Sequence, residues 1–445
     1  MARTLTTKDA YQIINLMVKE ATGQDATIQA VDPSTFVSVG ESLLASGVEN
    51  TLNALSLVLG RTLVAVRPYK AKFYSVNAID SGLYANRIRK ISYYSRGAVP
   101  DGASNTDLYT NFANGYSNGP NGGASTPSEW VQNQPVPLEL NFGGVSEWQT
   151  STTIYEKQLQ VAFRSPEEFI RFVDGIMVEK ANDIESMKEA FNRMTVLNAI
   201  AGCYDLSSVM GGSVINMTKA FNDYYGTSYT TAQLLSTYLT EFTEFFISTV
   251  KTISNRMTNR SMKYHWSPTK TINGITYDLL RHTPKDRQKL LLLNDYWIKS
   301  EALVKPQVFN ENFLSFGNFE GVDFWQNEYE PEKISITPAI PDVAGTNNGE
   351  QTAGTKVDLD CVLGFMFDED AMMVDYIFDD ASSTYKNPRK HYRNLWWTIA
   401  RNSIVDFTEN MVLFYMADPV GGGGSKGDDE KKEEIPDEEK KEGEE

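Results

Sequence analysis

Three features of the sequence predict an α+β fold. A helical period runs from Ser165 to Gly202, short alternating or wholly apolar runs fill the C-terminal half, and a long Gly- and Asn-rich excursion precedes the helix. With 445 residues, 41% of them apolar and 11% aromatic, the chain can bury a core and form two or three domain-sized units.

Charge and cysteine content exclude several tasks. Lys and Arg total 41 against 58 Asp and Glu, and a net charge of −17 argues against a protein that grips phosphates. Cys203 and Cys361 fit no metal or redox spacing and read as buried thiols. No apolar run approaches the roughly 18 residues that a membrane span needs, so a soluble protein is expected.

The first helix is marked by Ile13, Ile14, Met17 and Val18 behind possible caps at Thr6 and Thr7. A second is predicted after Asp32 and Pro33, with Leu43, Leu44, Val48, Leu52, Leu55 and Leu59 on one face and a stop at Gly60. "RTLVAVRPY" then reads as a short strand.

The excursion follows. From Gly97 to Glu156 there is no Lys or Arg, where the composition would place roughly five or six. A structureless loop of that length is improbable in a compact domain. The pattern therefore predicts a projecting hairpin: "RIRKISYYS" leads out, "TSTTIYEKQLQVAF" returns, and "NGYSNGPNGGASTPSEW" forms its soft tip.

The long helix has the strongest start signal. Ser165 and Glu168 form a capping-box pair, Pro166 sits at the first helical position, and Glu167 suits the positive end of the dipole. Phe169, Phe172, Ile176, Ile184, Met187, Phe191, Met194 and Leu197 make its stripe. Gly202 is the predicted stop, giving about 36 residues and about 54 Å. Lys180 and Asp183 interrupt the stripe, so a half-buried helix across a sheet is expected rather than a coiled coil.

Beyond it, "TTAQLLSTYLTEFTEFFISTVKTISNRM" predicts one amphipathic helix, "MKYHW" and "TYDLLRH" strands, and "TPKDRQKLLLLNDYWIKSEAL" a strand–helix unit. "EGVDFWQNEY", "KISITPAI" and "DCVLGFMFDEDAMMVDY" read as further strands. "HYRNLWWTIARNSIVDFTENMVLFYM" reads as two strands turning near Arg401 and Asn402. From Gly421 a "GGGGS" stretch leads into five Lys against eleven Asp and Glu, an unstructured acidic run that is either a natural tail or an artificial linker and solubilising segment.

This order of parts, with the local patterns "FRSPEEF", "TPKDRQKLLLLNDYW", "GNFEGVDFW" and "LGFMFDEDA", resembles the major capsid proteins of tailed bacteriophages with the Hong Kong 97-type fold. The resemblance implies an N-terminal arm with helices over 1–87, an extended loop over 88–161 and a peripheral-domain spine helix over 162–203. It further implies an axial domain over 204–380, closing peripheral strands over 381–418 and a disordered tail over 419–445. The implied function is self-assembly into pentamers and hexamers of an icosahedral virion shell. That shell would be built in the host cytoplasm with portal and scaffolding or decoration proteins, and would enclose DNA without specific binding and without a membrane. Tyr109, Phe112, Tyr116, Trp130 and Trp148 are the expected inter-subunit residues of the loop. The basic cluster Arg87, Arg89 and Lys90 at its base would face the cation-free segment of a partner. Family members that crosslink themselves join a loop Lys to an Asn, and this loop has no Lys between Gly97 and Glu156.

No catalytic, cofactor-binding or metal residue is expected. His265, His282 and His391 lack ligand spacing and no nucleophile or nucleotide motif occurs, so each His reads as an ordinary residue. The acidic group Asp368, Glu369, Asp370, Asp375, Asp379 and Asp380 lacks the Gly and spacing of a calcium loop. Two rivals remain. A glycosidase could use Glu129 beside Trp130 or Glu147 beside Trp148, although both lie near the softest part of the chain. An encapsulin-like shell would keep the fold and enclose cargo enzymes instead of DNA.

Overall fold

In the computed structural model the described residues are 7–22, 29–45, 54, 71–79, 87–94, 135–144, 146–268, 270–272, 275–303, 319–343, 350–385 and 387–418. The expected strand "RTLVAVRPY", the hairpin tip, the tail, and Val48, Leu52, Leu55 and Leu59 lie outside them.

Helices α1 (Thr7–Thr22) and α2 (Pro33–Ala45) are followed by β1 (Asn77–Ile79), β2 (Arg87–Tyr93), β3 (Pro137–Gly143) and β4 (Ser146–Tyr155). The outgoing strand of the predicted hairpin is β2, but its partner is β3, paired from Arg87 opposite Gly143 to Tyr93 opposite Pro137. The stretch expected to return to it instead divides at Tyr155. Its first part is β4, which pairs with a distant strand, and its second is helix α3 (Glu156–Ala162).

Helix α4 (Pro166–Asp205) has 40 residues, about 60 Å at 1.5 Å per residue. Ser165 is its N-cap, the side chain accepting from the Glu168 amide at 3.2 Å. The predicted stop at Gly202 is not a stop. A methyl there would lie 2.3 Å from the Phe407 ring, so this glycine permits close packing inside the helix. The N-terminal half packs Phe169 against Phe36 and Phe163, with α1 and α2. The C-terminal half buries Phe191, Val196, Ile200 and Cys203 in the central core. Met194, assigned to the stripe, is exposed. Lys180 pairs with Asp183 at 2.8 Å where the stripe is broken.

The remaining elements are β5 (Val214–Asn216), α5 (Met217–Tyr225), α6 (Thr231–Leu234), α7 (Leu239–Met257), β6 (Lys270–Ile272), β7 (Ile275–Tyr277), β8 (Gln288–Leu293), α8 (Asn294–Leu303) and β9 (Phe319–Val322). They continue with β10 (Ile334–Ile336), β11 (Ala339–Ile340), β12 (Thr352–Ala353), β13 (Val357–Leu359), β14 (Cys361–Asp368), β15 (Met372–Ser383), β16 (Tyr392–Val405) and β17 (Met411–Met416). The single helix expected over 230–257 is broken at Leu235–Tyr238, where the capping box of Thr230 and Gln233 makes only a short α6 before α7 begins. "MKYHW" is a turn rather than a strand.

A five-stranded sheet in the order β5-β17-β14-β8-β9 forms the centre. Its middle strands are apolar on both faces, as a sheet covered on both sides requires. Leu291, Leu293, Phe365, Phe367 and Leu413 enter the core shared with the C-terminal half of α4. Their neighbours Leu290, Leu292, Met366, Val412 and Phe414 enter a second core under α7, with Phe242, Phe246 and Val250. Strand alternation thus feeds two cores from one sheet.

A four-stranded sheet in the order β1-β15-β16-β4 lies under α4. The two closing strands do not pair with each other: β16 joins this sheet and β17 the central one. The turn between them is Asp406–Asn410, not Arg401 and Asn402, which lie inside β16. Besides the passage from β4 to β5 through α4, the chain steps directly between the sheets twice, at Glu369–Ala371 and at Asp406–Asn410. The crossings are tied together by Asp368 N–H to Asn410 O at 2.9 Å and Asp406 N–H to Ala371 O at 2.8 Å.

Candidate functional site

The second crossing, Asp406–Asn410, is where the ribbon β2–β3 meets both sheets. Alternation along β2 sends Lys90 and Ser92 to one face and Arg89, Ile91 and Tyr93 to the other. On the inner face Lys90 Nζ donates to Asp406 Oδ2 and, at 2.7 Å, to Glu409 Oε1. Arg281 joins the same group, 3.3 Å from Glu409 Oε1, while donating to Ser92 Oγ at 2.7 Å and to Thr408 O at 3.1 Å. Two cations and two anions balance.

Burial sets the chemistry of this cluster. Burial works to lower the Lys90 ammonium, but Asp406 and Glu409 outweigh it and hold its pKa above the ordinary value. Burial pushes the Glu409 carboxyl up, against the pull of Lys90 and Arg281. Lys90 and Glu409 each have two partners of opposite charge, but Glu409 is the more enclosed side chain and also feels the like charge of Asp406. Lys90 is therefore firmly charged, and Glu409 is the group whose ionisation burial opposes.

The loop is held from its other side too. His265 is buried, with Nδ1 3.1 Å from Asn410 Oδ1 and Nε2 2.8 Å from Leu279 O, and burial lowers its pKa. Trp266 N–H donates to Phe407 O and Met411 N–H to Tyr264 O, both at 2.8 Å. Asn410 also donates to Thr283 Oγ1 at 3.1 Å.

These contacts change the role expected of the loop-base cations. Lys90 is spent inside its own subunit, and Arg89 pairs with Glu139 across the ribbon at 2.7 Å. Arg87 contributes backbone pairing to Gly143. Of the expected inter-subunit aromatics, Tyr109, Phe112, Tyr116 and Trp130 lie outside the described residues. Trp148 packs inward, edge to face on Phe191 of α4 at 6.0 Å between ring centroids, because β4 lies against the helix instead of in the ribbon. Glu147 sits on the opposite, exposed face of β4 from Trp148, so the pair cannot combine a carboxylate with a sugar platform.

The other candidate groups are accounted for within the fold. Asp368 and Asp370 face Arg287, and Glu369 lies 3.9 Å from Lys289. His282 and His391 are exposed. Among the described residues no group of three or more His, Cys, Asp or Glu is placed to hold a metal, and no helix is long and apolar enough to cross a membrane. Asp406, Glu409, Asn410 and Arg281 were not singled out in the sequence. Their signal is the polar run "DFTEN" between the apolar runs of β16 and β17, which is a turn signature.

The subunit is thus α+β, with helices over two sheets joined by two direct crossings. The family model for Phi29-like phage major capsid proteins matches residues 146–415, more than half of the chain, and the chain belongs to that family. It is a structural protein of the virion that forms the shell. No curated protein matches the sequence. Similar solved structures include the capsid of Staphylococcus phage Andhra, at 10% identity over 80% of this chain and 86% of that one with a TM-score of 0.48. A chain in the head fiber and inner core protein gp22 structure of bacteriophage P68 matches at 10% identity, over 78% and 84%, with a TM-score of 0.44. The capsid of cyanophage P-SCSP1u matches at 10% identity, over 79% and 90%, with a TM-score of 0.39.

Proposed function

We propose that this capsid protein assembles as a Hong Kong 97-type subunit into pentamers and hexamers of an icosahedral shell that encloses the double-stranded DNA of a tailed bacteriophage. Residues 88–143 reach over a neighbouring subunit, α4 is the spine of the peripheral domain together with the sheet that holds β4, β15 and β16, and the region from 204 to about 371 forms the axial domain. In this reading β16 returns to the peripheral domain, while β17 stays with the axial sheet that it completes. Portal and scaffolding or decoration proteins complete the particle, which is built in the host cytoplasm.

The observation that carries this reading is the order of parts: a two-stranded ribbon, then β4, then a 40-residue helix, then a central sheet with a core on each face. A two-stranded ribbon is marginal alone and gains stability by resting on other surfaces. The net charge of −17 supports enclosure of DNA without a specific grip on it. Negative-stain microscopy of the purified protein tests the proposal. Closed shells or flat capsomer arrays are expected, and uniform small monomers across protein and salt concentrations would overturn it.

A further inference from the structure

We infer that the four-charge cluster of Lys90, Arg281, Asp406 and Glu409 is a positioning site: it sets the direction of the β2–β3 ribbon relative to the two sheets, and so decides where the ribbon's far end meets a neighbouring subunit. This rests on the reading of residues 88–143 as the reaching loop.

Three observations converge on it. Among the described residues the ribbon is hydrogen-bonded to no third strand, so its direction is not set by sheet pairing there. Its inner face instead presents Lys90 and Ser92, two residues apart, to acceptors and donors on a loop and on Arg281. Finally, that loop is itself firmly held. It joins the two sheets, is bonded to the other crossing, and is gripped by Tyr264, Trp266, His265 and Thr283.

Energetics favour orientation over stability as the reason for buried charge here. Desolvating four ionic groups offsets most of their mutual attraction, and apolar groups of similar shape could hold the surfaces together equally well. What apolar packing does not supply is a directional fit. Lys90 reaches two carboxylates three positions apart on one turn, and Arg281 spans from Glu409 to Ser92, so a rotated or shifted ribbon loses several charge-assisted bonds at once. The outer face carries Ile91 at 49% and Tyr93 at 63% exposure, leaving it free to meet another surface while the inner face fixes the angle.

The test measures direction and assembly separately. Spin labels at Asn141→Cys on the ribbon and Tyr329→Cys on the body report the ribbon's direction as a distance distribution in the unassembled subunit. Cys203 is buried, and the half-buried Cys361 is first replaced by Ser so that only the introduced thiols carry labels. The otherwise unaltered subunit should give one narrow distribution. Lys90→Met should broaden it, as should the charge-balanced pair Lys90→Met with Glu409→Gln, which guards against a single variant that fails to fold. If the ribbon then points correctly about a tenth of the time, each contact weakens about tenfold and shell yield falls at least that much. Thermal unfolding should remain cooperative, and Lys90→Arg should restore both readouts. An unchanged distance distribution in the charge-balanced variant would overturn the positioning role. Normal shells from a chain in which residues 105–133 are replaced by a short Gly-Ser turn would instead overturn the loop reading, and the distance measurement, made without assembly, tells the two failures apart.

Discussion

The central sheet and the ribbon solve opposite problems with the same backbone. In the sheet, β8, β14 and β17 are buried on both faces and alternate residues divide between two cores, so position follows from apolar packing. In the ribbon, one face is exposed and the other is held by two side chains at a charged cluster. Area burial scales with size and carries little direction, whereas short charge-assisted bonds carry direction and little net energy. Substitutions in the sheet should therefore act on stability, and substitutions under the ribbon on geometry.

The largest effect is expected at Phe365. It is fully buried in β14 and stacks on Phe367 at 5.6 Å between centroids. Phe365→Ala should cost about 3–5 kcal/mol, read as a lower midpoint in urea unfolding with the slope unchanged. A cost below about 1 kcal/mol would mean that the sheet is less tightly packed than the comparison assumes.

Gly202→Ala comes next. The new methyl would meet the ring of Phe407, which is itself buried in the central core, so the ring or the helix must shift. Overpacking of this kind costs about 1–3 kcal/mol. Because Phe407 lies in the crossing that anchors Lys90, this variant should also disturb the ribbon, unlike Phe365→Ala. Measuring the distance distribution in both variants sharpens the distinction between the two regions.

What was legible in the sequence divides along the same line. The start of α4 could be read at Ser165 and Pro166 because capping is written in adjacent residues, and β8 with α8 could be read from "QKLLLL" followed by "NDYW". Pairing between distant segments could not. The strand "PLELNF" alternates as clearly as the stretch chosen to return to β2, and nothing local says which of the two is the partner. Gly202 fits a helix stop by rule, and only the Phe407 ring reveals its other use. The cluster was half visible: Arg87, Arg89 and Lys90 stood out as charges, but Asp406 and Glu409 come from more than 300 positions away in a run read as strand. The alternation that sends Lys90 inward and Arg89 outward has meaning only once that face has a partner.

A smaller effect is expected from pH at Glu409. Its pKa in the fold lies above the ordinary 4.5, so the folded chain holds that proton more tightly than the unfolded chain does. Its contribution is fully present below 4.5 and is lost as pH rises through the raised value. Relative to Glu409→Gln, the unaltered protein should have its least advantage at neutral pH and gain stability as pH falls. At pH 7 the substitution should change stability by no more than about 1 kcal/mol. Lys90 has the same sign in a higher window: its contribution holds below 10.5 and fades as pH rises through its raised value. Urea midpoints for both proteins across acidic pH check the sign, and a gap that closes on acidification would reverse it.

The smallest effect separates two adjacent residues. Arg89 and Lys90 carry the same charge, and each pairs with a carboxylate at 2.7 Å, so composition alone would rank them together. Their surroundings differ. The Arg89 and Glu139 side chains are 59% and 42% exposed, and water and salt screen such a pair while the two long side chains lose freedom to hold it. Lys90 is 20% exposed and its partners Asp406 and Glu409 are 1% and 10% exposed, so little solvent competes for those bonds. Arg89→Ala should therefore leave the melting temperature, the ribbon's distance distribution and the shell yield unchanged, at low salt as well as high. If Arg89→Ala broadens the distribution as much as Lys90→Met does, the ribbon is held by its own cross-strand pairs, and the cluster beneath it is a bystander to its direction. If only Lys90→Met does so, the direction of the ribbon is decided by which face of one strand a cation occupies.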